Sequence, residues 1–242
     1  MTRLFLALPP SDTNEAFLRE VDENLRRDQA EQLIKKNAPL IAGGVLLLLA
    51  LVAGYLYWQT RQKEAAARDS EALVAAMEDI AANRPGVDKK LDPLIGSSSE
   101  GIAAQAQLTK AAVLQSKGDK TGAIAIYRTL AGDSGIAQPT RDLATIRMTA
   151  LEFDTLEPAA VIARLEPLAK PESAWFGSAG EMTAMALLKQ NTQAEAGRLF
   201  AAIAGNKTVP MTIRSRAVQI AGTLGVDASA AIDDLSKGMQ AR

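Results

Sequence analysis

Residues 38–58 form a run of 21 residues without a charged side chain, reading APLIAGGVLLLLALVAGYLYW. At about 1.5 Å per residue, a helix of that length is roughly 30 Å long, which matches the hydrocarbon thickness of a bilayer. Because the bilayer interior offers no water to backbone polar groups, a single run of this kind must be helical. Tyr55, Tyr57 and Trp58 stand together at one end, where amphipathic rings favour the headgroup region. The sequence therefore predicts one transmembrane helix in contact with the lipid bilayer.

A buried core helix and a cleaved signal peptide are the two alternatives to a transmembrane helix. A buried helix of a soluble protein is rarely apolar over so many residues. A cleaved signal peptide has an apolar region of only about 7–15 residues. Here the candidate small-residue cleavage site, residues 65–67, lies beyond Arg61 and Lys63. We therefore expect an uncleaved, single-pass anchor.

The charges beside the run bear on its orientation. Cytoplasmic flanks carry the excess of basic residues within about 15 residues of a span. The basic residues are Arg26, Arg27, Lys35 and Lys36 before the run, and Arg61, Lys63 and Arg68 after it. Four against three predicts a cytoplasmic N-terminus and a C-terminal domain on the opposite side of the membrane.

The composition excludes most kinds of catalytic site and metal site. The chain has no Cys and no His, so it has no thiolate nucleophile, disulfide or cysteine zinc site, and the commonest general base is missing. Its carboxylates lack the spacing of a calcium loop. We predict no catalytic residues, no metal ligands and no cofactor, and hence no enzyme. With 27 basic and 28 acidic residues, the net charge of -1 gives no basic surface for nucleic acid.

The sequence from residue 59 onward predicts short helices that are arranged in pairs. Apolar residues recur at helical spacing, and turn-forming residues separate the segments. Three anchor positions, Ala123, Val161 and Ala196, are 38 and 35 residues apart, and each is followed four residues later by a larger apolar residue. This spacing is close to the two-helix tetratricopeptide unit of about 34 residues. An irregular helical bundle with accidental periodicity is the alternative, and both are all-α.

Two features depart from the tetratricopeptide pattern. Its early Trp-Leu-Gly motif is absent, and Thr149 occupies a position where Ala111 and Ala184 stand in the other units. Trp175 is either a ligand anchor or a filler of the core, and we expect the core.

The first helix of each tetratricopeptide unit lines a groove. Transferring that geometry position by position gives a mixed but largely apolar lining, which is suited to extended or hydrophobic peptide segments. The candidate peptide-binding residues are Gln105, Leu108 and Gln115 in the first unit, Ile146, Ala150 and Phe153 in the second, and Glu181, Met185 and Leu188 in the third. In the span, Ala50 and Gly54 are four residues apart and form a candidate helix-packing pair.

The predicted fold class is all-α, with a single transmembrane helix followed by a tetratricopeptide-like α-solenoid of helix pairs. Residues 1–37 form a cytoplasmic N-terminal helix, 38–58 the transmembrane helix and 59–100 a connecting helix and loop. Residues 101–225 form the repeat domain, and 226–242 form a C-terminal tail with a short helix expected over 228–237.

This layout and four local strings resemble a known family. The strings are residues 15–23 (EAFLREVDE), 54–58 (GYLYW), 173–175 (SAW) and 187–191 (LLKQN). The chain resembles the bacterial ancillary subunits of the SecYEG translocon, the YfgM-like tetratricopeptide-repeat membrane proteins. The resemblance implies a bacterial inner-membrane protein with a periplasmic repeat domain. Its implied partners are the SecYEG translocon, the membrane-anchored periplasmic prolyl isomerase PpiD and unfolded exported proteins.

Two functions follow as hypotheses. The first is a non-enzymatic accessory of the Sec protein-export translocon with a chaperone-like binding domain. The alternative is a membrane-anchored scaffold for envelope assembly or cell division, which gathers partners without handling client chains.

Overall fold

The computed structural model describes the backbone of residues 12–228 and 231, and side chains within that part from residue 36 onward. All the regular elements of the described residues are helices, which confirms the all-α prediction. The helices are α1 (Asp12–Ala81), α2 (Val87–Ile95), α3 (Glu100–Ser116), α4 (Lys120–Gly132), α5 (Gln138–Glu152), α6 (Pro158–Leu165), α7 (Phe176–Lys189), α8 (Gln193–Gly205) and α9 (Met211–Thr223). The short helix expected over 228–237 lies almost wholly outside the described residues.

The backbone divides into two units between Lys63 and Glu64. The first unit consists of α1 up to Lys63. Its large apolar side chains are exposed within the chain, as at Leu46 and Leu51. Among the described residues, one helical segment, Lys36–Ala81, is long and apolar enough to cross a membrane, and an 18-residue window within it has a mean hydropathy of 2.3. The length and composition of this segment indicate a single-pass membrane anchor.

The second unit is built from helix pairs. Each pair is formed by consecutive helices that pack against each other: α3 with α4, α5 with α6 and α7 with α8, followed by α9. The Asp119 side chain accepts a hydrogen bond from the Gly122 backbone N–H at 2.9 Å and so caps α4. Gly118 and Asn191 adopt positive φ angles of 86° and 61° in the turns that join the helices of the first and third pairs. Local turn chemistry thus separates the helices.

The anchor positions lie where the repeat pattern requires them. Ala123, Val161 and Ala196 are buried at the start of the second helix of each pair. The larger residues four positions later, Tyr127, Leu165 and Phe200, are also buried. A small residue lets two helices approach, and the larger residue fills the joint one turn later. The structure therefore confirms a tetratricopeptide-like solenoid.

Thr149 occupies the small-residue position of the second pair and is fully buried on α5. Its hydroxyl donates a hydrogen bond to the Thr145 backbone oxygen at 2.7 Å. The same hydroxyl accepts a long hydrogen bond from Nη1 of Arg164 on α6, with a donor–acceptor distance of 3.5 Å. Arg164 Nη1 is in turn 2.5 Å from Oε2 of Glu152. The hydroxyl is tolerated in the core because the backbone and Arg164 satisfy it.

Repeat-like packing begins before residue 101, in the segment expected to be a connector. The last turns of α1, α2 and the start of α3 share one core cluster of buried residues, which comprises Leu73, Ala76, Val87, Leu91, Leu94 and Ala106. Asp79 fixes the turn between α1 and α2, because its carboxylate lies 2.5 Å from both Arg84 Nη1 and Lys90 Nζ. These hydrogen bonds, from Lys90 first and Arg84 second, lower the pKa of Asp79. The end of α1 and α2 therefore act as a further helix pair.

Candidate partner-binding face

The first helices of the pairs form a common side of the second unit, which we call the A-helix face. It consists of the end of α1 from Glu64, together with α3, α5, α7 and α9. Three clefts follow one another along it, each between neighbouring A helices. They are named below by the helices that line them.

The α3–α5 cleft has a volume of about 300 Å³. It contains all three groove residues predicted for the first unit: Gln105, Leu108 and Gln115. The remaining lining residues are Thr109, Ala112, Tyr127, Leu143 and Arg147. Tyr127 belongs to α4, so its ring reaches this cleft from the second layer of helices.

The α5–α7–α9 cleft has a volume of about 420 Å³. Four predicted groove residues, Ala150, Phe153, Glu181 and Met185, line it together. Its other lining residues are Asp154, Met182, Arg216 and Ile220. Its apolar lining residues include Met182 and Met185, and methionine side chains can adapt to partners of different shape.

Charged groups on the rim of this cleft are paired with one another. Arg216 Nη2 donates to Glu181 Oε2 at 2.6 Å, and Arg216 Nε donates to the other carboxylate oxygen. Glu181 therefore raises the pKa of Arg216. Lys189 Nζ lies 4.3 Å from the Phe153 ring centroid and 3.3 Å from Oδ1 of Asp154. The rim is thus polar but nearly neutral.

The α1–α3 cleft, of about 240 Å³, is the most apolar of the three. Met77 and Ile80 of α1 face Ala112, Val113 and neighbouring residues of α3 across it. Leu73, Met77 and Ile80 recur at helical spacing, which predicts an apolar stripe that packs on the first repeat. Met77 and Ile80 also contribute to the A-helix face. Met77 remains exposed.

Two of the predicted groove residues lie elsewhere. Ile146 is only 7% exposed and packs in the core beside Val161 and Leu165, which corrects its assignment to the groove. Leu188 is partly buried against the core of the third pair and lines none of the three clefts.

The register of α5 explains the position of Ile146. Leu143, Arg147 and Ala150 follow a spacing of four and three residues, and they form the stripe that faces the clefts. Ile146 precedes Arg147 by one residue. It is therefore rotated by about 100° around the helix, toward α6.

Sequence reasoning also missed several residues of the face. The repeat pattern predicts only a core position for Tyr127, four residues after Ala123, and it assigns Arg216 and Ile220 of α9 to no repeat unit. Ile220 does follow Arg216 by four residues, which is the spacing of one helix face. This spacing is a weak signal for the face of α9.

Two further features lie outside the A-helix face. Ala50 and Gly54 lie on the exposed surface of α1, and a Cβ atom on Gly54 would have no described atom within 4 Å. Trp175 is partly buried against the core of the second and third pairs and also lines a cavity of about 680 Å³ beside Arg164 and Lys170.

The fold and the clefts define a class of protein. A single-pass membrane anchor is followed by stacked helix pairs whose first helices offer a row of clefts, an arrangement used for binding other proteins. The chain matches the family model described as "Tetratricopeptide repeat-like domain" over residues 32–220, and it belongs to that family. No curated protein and no solved structure matches it. Repeat domains of this kind are typically non-catalytic modules for protein–protein interaction.

Proposed function

We propose that this protein is a non-enzymatic, membrane-anchored accessory of the Sec protein-export translocon. Its repeat domain binds newly exported chains or partner proteins along the A-helix face, in a chaperone-like manner. The observation that carries the binding role is the row of three apolar clefts with exposed lining residues such as Met77 and Met185.

The chemistry of the clefts suits unfolded chains. Such chains expose apolar side chains that a folded protein buries, and burial of apolar area supplies most of their binding free energy. The clefts provide Leu108, Phe153 and Met185 for this purpose. Polar groups on the rim, including the Arg216–Glu181 pair, keep the face soluble between binding events.

The assignment to protein export rests on the family resemblance of the four strings and of the layout. In this proposal the N-terminus is cytoplasmic, the protein is in the bacterial inner membrane and the repeat domain is periplasmic. Its neighbours are the SecYEG translocon and PpiD. The single-pass anchor supports the proposal because it holds a binding domain next to a membrane channel.

The test is crosslinking in intact cells, followed by purification of the full-length protein and mass spectrometry of its neighbours. The matched control carries an unrelated apolar span in place of residues 38–58. We expect translocon subunits and the anchored isomerase to be enriched over the control. Enrichment of division or envelope-assembly proteins instead would overturn the export function in favour of a scaffold.

A further inference from the structure

The turn after α9 has the geometry of the turns that join the two helices of the first and third pairs. Gly118, Asn191 and Gly225 all have positive φ angles, of 86°, 61° and 76°. In each turn the next backbone N–H donates to the carbonyl oxygen five residues earlier. These hydrogen bonds are Asp119 to Leu114 at 2.9 Å, Thr192 to Leu187 at 3.0 Å and Val226 to Ala221 at 2.9 Å. This is the Schellman motif, after which the first and third pairs continue into their second helix.

The chain beyond this turn packs against α8 and α9. Cγ2 of Val226 lies 2.6 Å from the position that a Cβ atom on Gly197 of α8 would occupy. Ala231 has a helical backbone, is only 7% exposed and belongs to the same core cluster as Phe200 and Ala217. The chain after α9 thus enters the core of the last helices instead of leaving the domain.

Ala231 also continues the spacing of the anchor positions. It follows Ala196 by 35 residues, the same interval as that between Val161 and Ala196. Leu235 comes four residues later. The equivalent residues of the earlier pairs, all buried, are Tyr127, Leu165 and Phe200. The sequence therefore has the anchor and the larger residue of a further second helix.

The rest of this segment has the pattern of one amphipathic helix. Of residues 229–242, the structure describes Ala231 alone, so the pattern is that of the sequence. Ile232, Leu235 and Met239 recur at intervals of three and four residues, and the residues between them are polar or glycine. This is the spacing of a single apolar helix face.

One side of α9 lacks, among the described residues, the helix that covers the equivalent side of α7. Aligning Gly225 with Asn191 places α9 on α7 with an offset of 34 residues. Val218 then corresponds to Ala184, which is fully buried in the core that α7 forms with α8. Val218, by contrast, is only partly buried. A second helix beside α9 accounts for this difference, because α8 covers the equivalent side of α7.

We propose that residues 228–239 form a helix that pairs with α9 and completes a fourth helix pair. Its apolar side, with Ala231 and Leu235, packs against α9 and covers Val218. A helix of this length is about 18 Å long, close to α4 and α8, which have 13 residues each. It holds α9 in place, and with it the wall of the α5–α7–α9 cleft that α9 provides. The inference concerns the contact of the chain's own segment with α9 and does not depend on the proposed function.

The test uses the full-length protein in detergent micelles, as wild type, Leu235→Gln and Lys237→Gln. Lys237 follows Leu235 by two residues, so a helix turns it about 200° away, to the polar side. Lys237→Gln is therefore the matched control. Hydrogen–deuterium exchange with mass spectrometry follows the amides of residues 229–239 and of α9, and circular dichroism gives the melting temperature.

We expect the amides of residues 229–239 in the wild type to exchange at least about tenfold more slowly than in a free peptide of the same sequence. Leu235→Gln should remove this protection, speed exchange in α9 and lower the melting temperature by about 4–8 °C. Lys237→Gln should leave all three unchanged. Exchange in the wild type as fast as in the free peptide, or equal effects of the two substitutions, would overturn the inference. Protection that is lost on dilution to the monomer would overturn it in favour of contact with a second copy.

Discussion

The Cγ1 atom of Val209 lies 2.8 Å from the position that a Cβ atom on Gly177 would occupy. Ile213 Cδ1 lies 3.3 Å from the same position, so the space is closed from two directions. Gly177 is buried near the start of α7, and Val209 belongs to the segment between α8 and α9. Only the absence of a side chain lets α7 approach that segment, and this approach holds α9 at the end of the A-helix face.

Gly177→Ala should therefore lower the free energy of unfolding by about 1–2 kcal/mol, because overpacking outweighs the gain in helix propensity. The matched control is Gly222→Ala on α9, where an added Cβ would meet no described atom within 4 Å. The control should leave stability unchanged or raise it. Denaturation followed by circular dichroism measures both. Equal effects of the two substitutions would contradict the close approach.

Asp79→Asn should destabilise the protein at pH 7 and have little effect in acid. The ion pairs with Lys90 and Arg84 lower the pKa of the folded carboxylate below the ordinary value of 3.8. A lowered pKa stabilises the folded state above pH 3.8, and this contribution is lost as the pH falls through the folded pKa. The melting-temperature difference between wild type and variant should thus shrink below about pH 3.8. A difference that is independent of pH would exclude the charge as its cause.

Ile146→Asp and Met185→Asp should have different effects on stability, although the repeat geometry predicts both residues in the groove. A carboxylate at Ile146 enters the core and should cost about 3 kcal/mol or more. Met185 is 40% exposed, so its replacement should change stability by less than about 1 kcal/mol.

Binding should separate the two positions further. Folded Met185→Asp protein should lose most of its ability to suppress the aggregation of reduced insulin chains, measured by light scattering. Its control is Arg198→Asp on the outer surface of α8. Full suppression by Met185→Asp would show that the α5–α7–α9 cleft does not hold client chains.

Tyr127→Phe tests whether the tyrosine hydroxyl contributes to the stability of the fold. Because the hydroxyl has no hydrogen-bond partner among the described residues, its removal should leave the unfolding free energy unchanged or raise it slightly. Tyr127→Ala should lower stability by about 3–5 kcal/mol, because the ring fills the core. A loss of stability in Tyr127→Phe similar to that in Tyr127→Ala would assign the hydroxyl to the fold.

The helix pairs could be predicted from the sequence because the patterns that specify them are local or periodic. The turns at Gly118 and Asn191 and the anchor Ala123 act within a few residues of their position in the chain. The clefts depend on how neighbouring helices are rotated, which no short segment encodes. Ile146 and Arg147 are adjacent in sequence, yet one lies in the core and the other in a cleft.

The orientation of the anchor can be tested with single cysteines, because the natural chain has none. The charge bias predicts that the repeat domain lies outside the cytoplasm, and the proposed function requires it in the periplasm. Ser134→Cys, in the exposed turn between α4 and α5, should then react in whole cells with a maleimide that crosses the outer membrane only. Asn14→Cys, near the start of α1, should react only after lysis. Reaction of Asn14→Cys and protection of Ser134→Cys would place the A-helix face in the cytoplasm, where it could not meet exported chains.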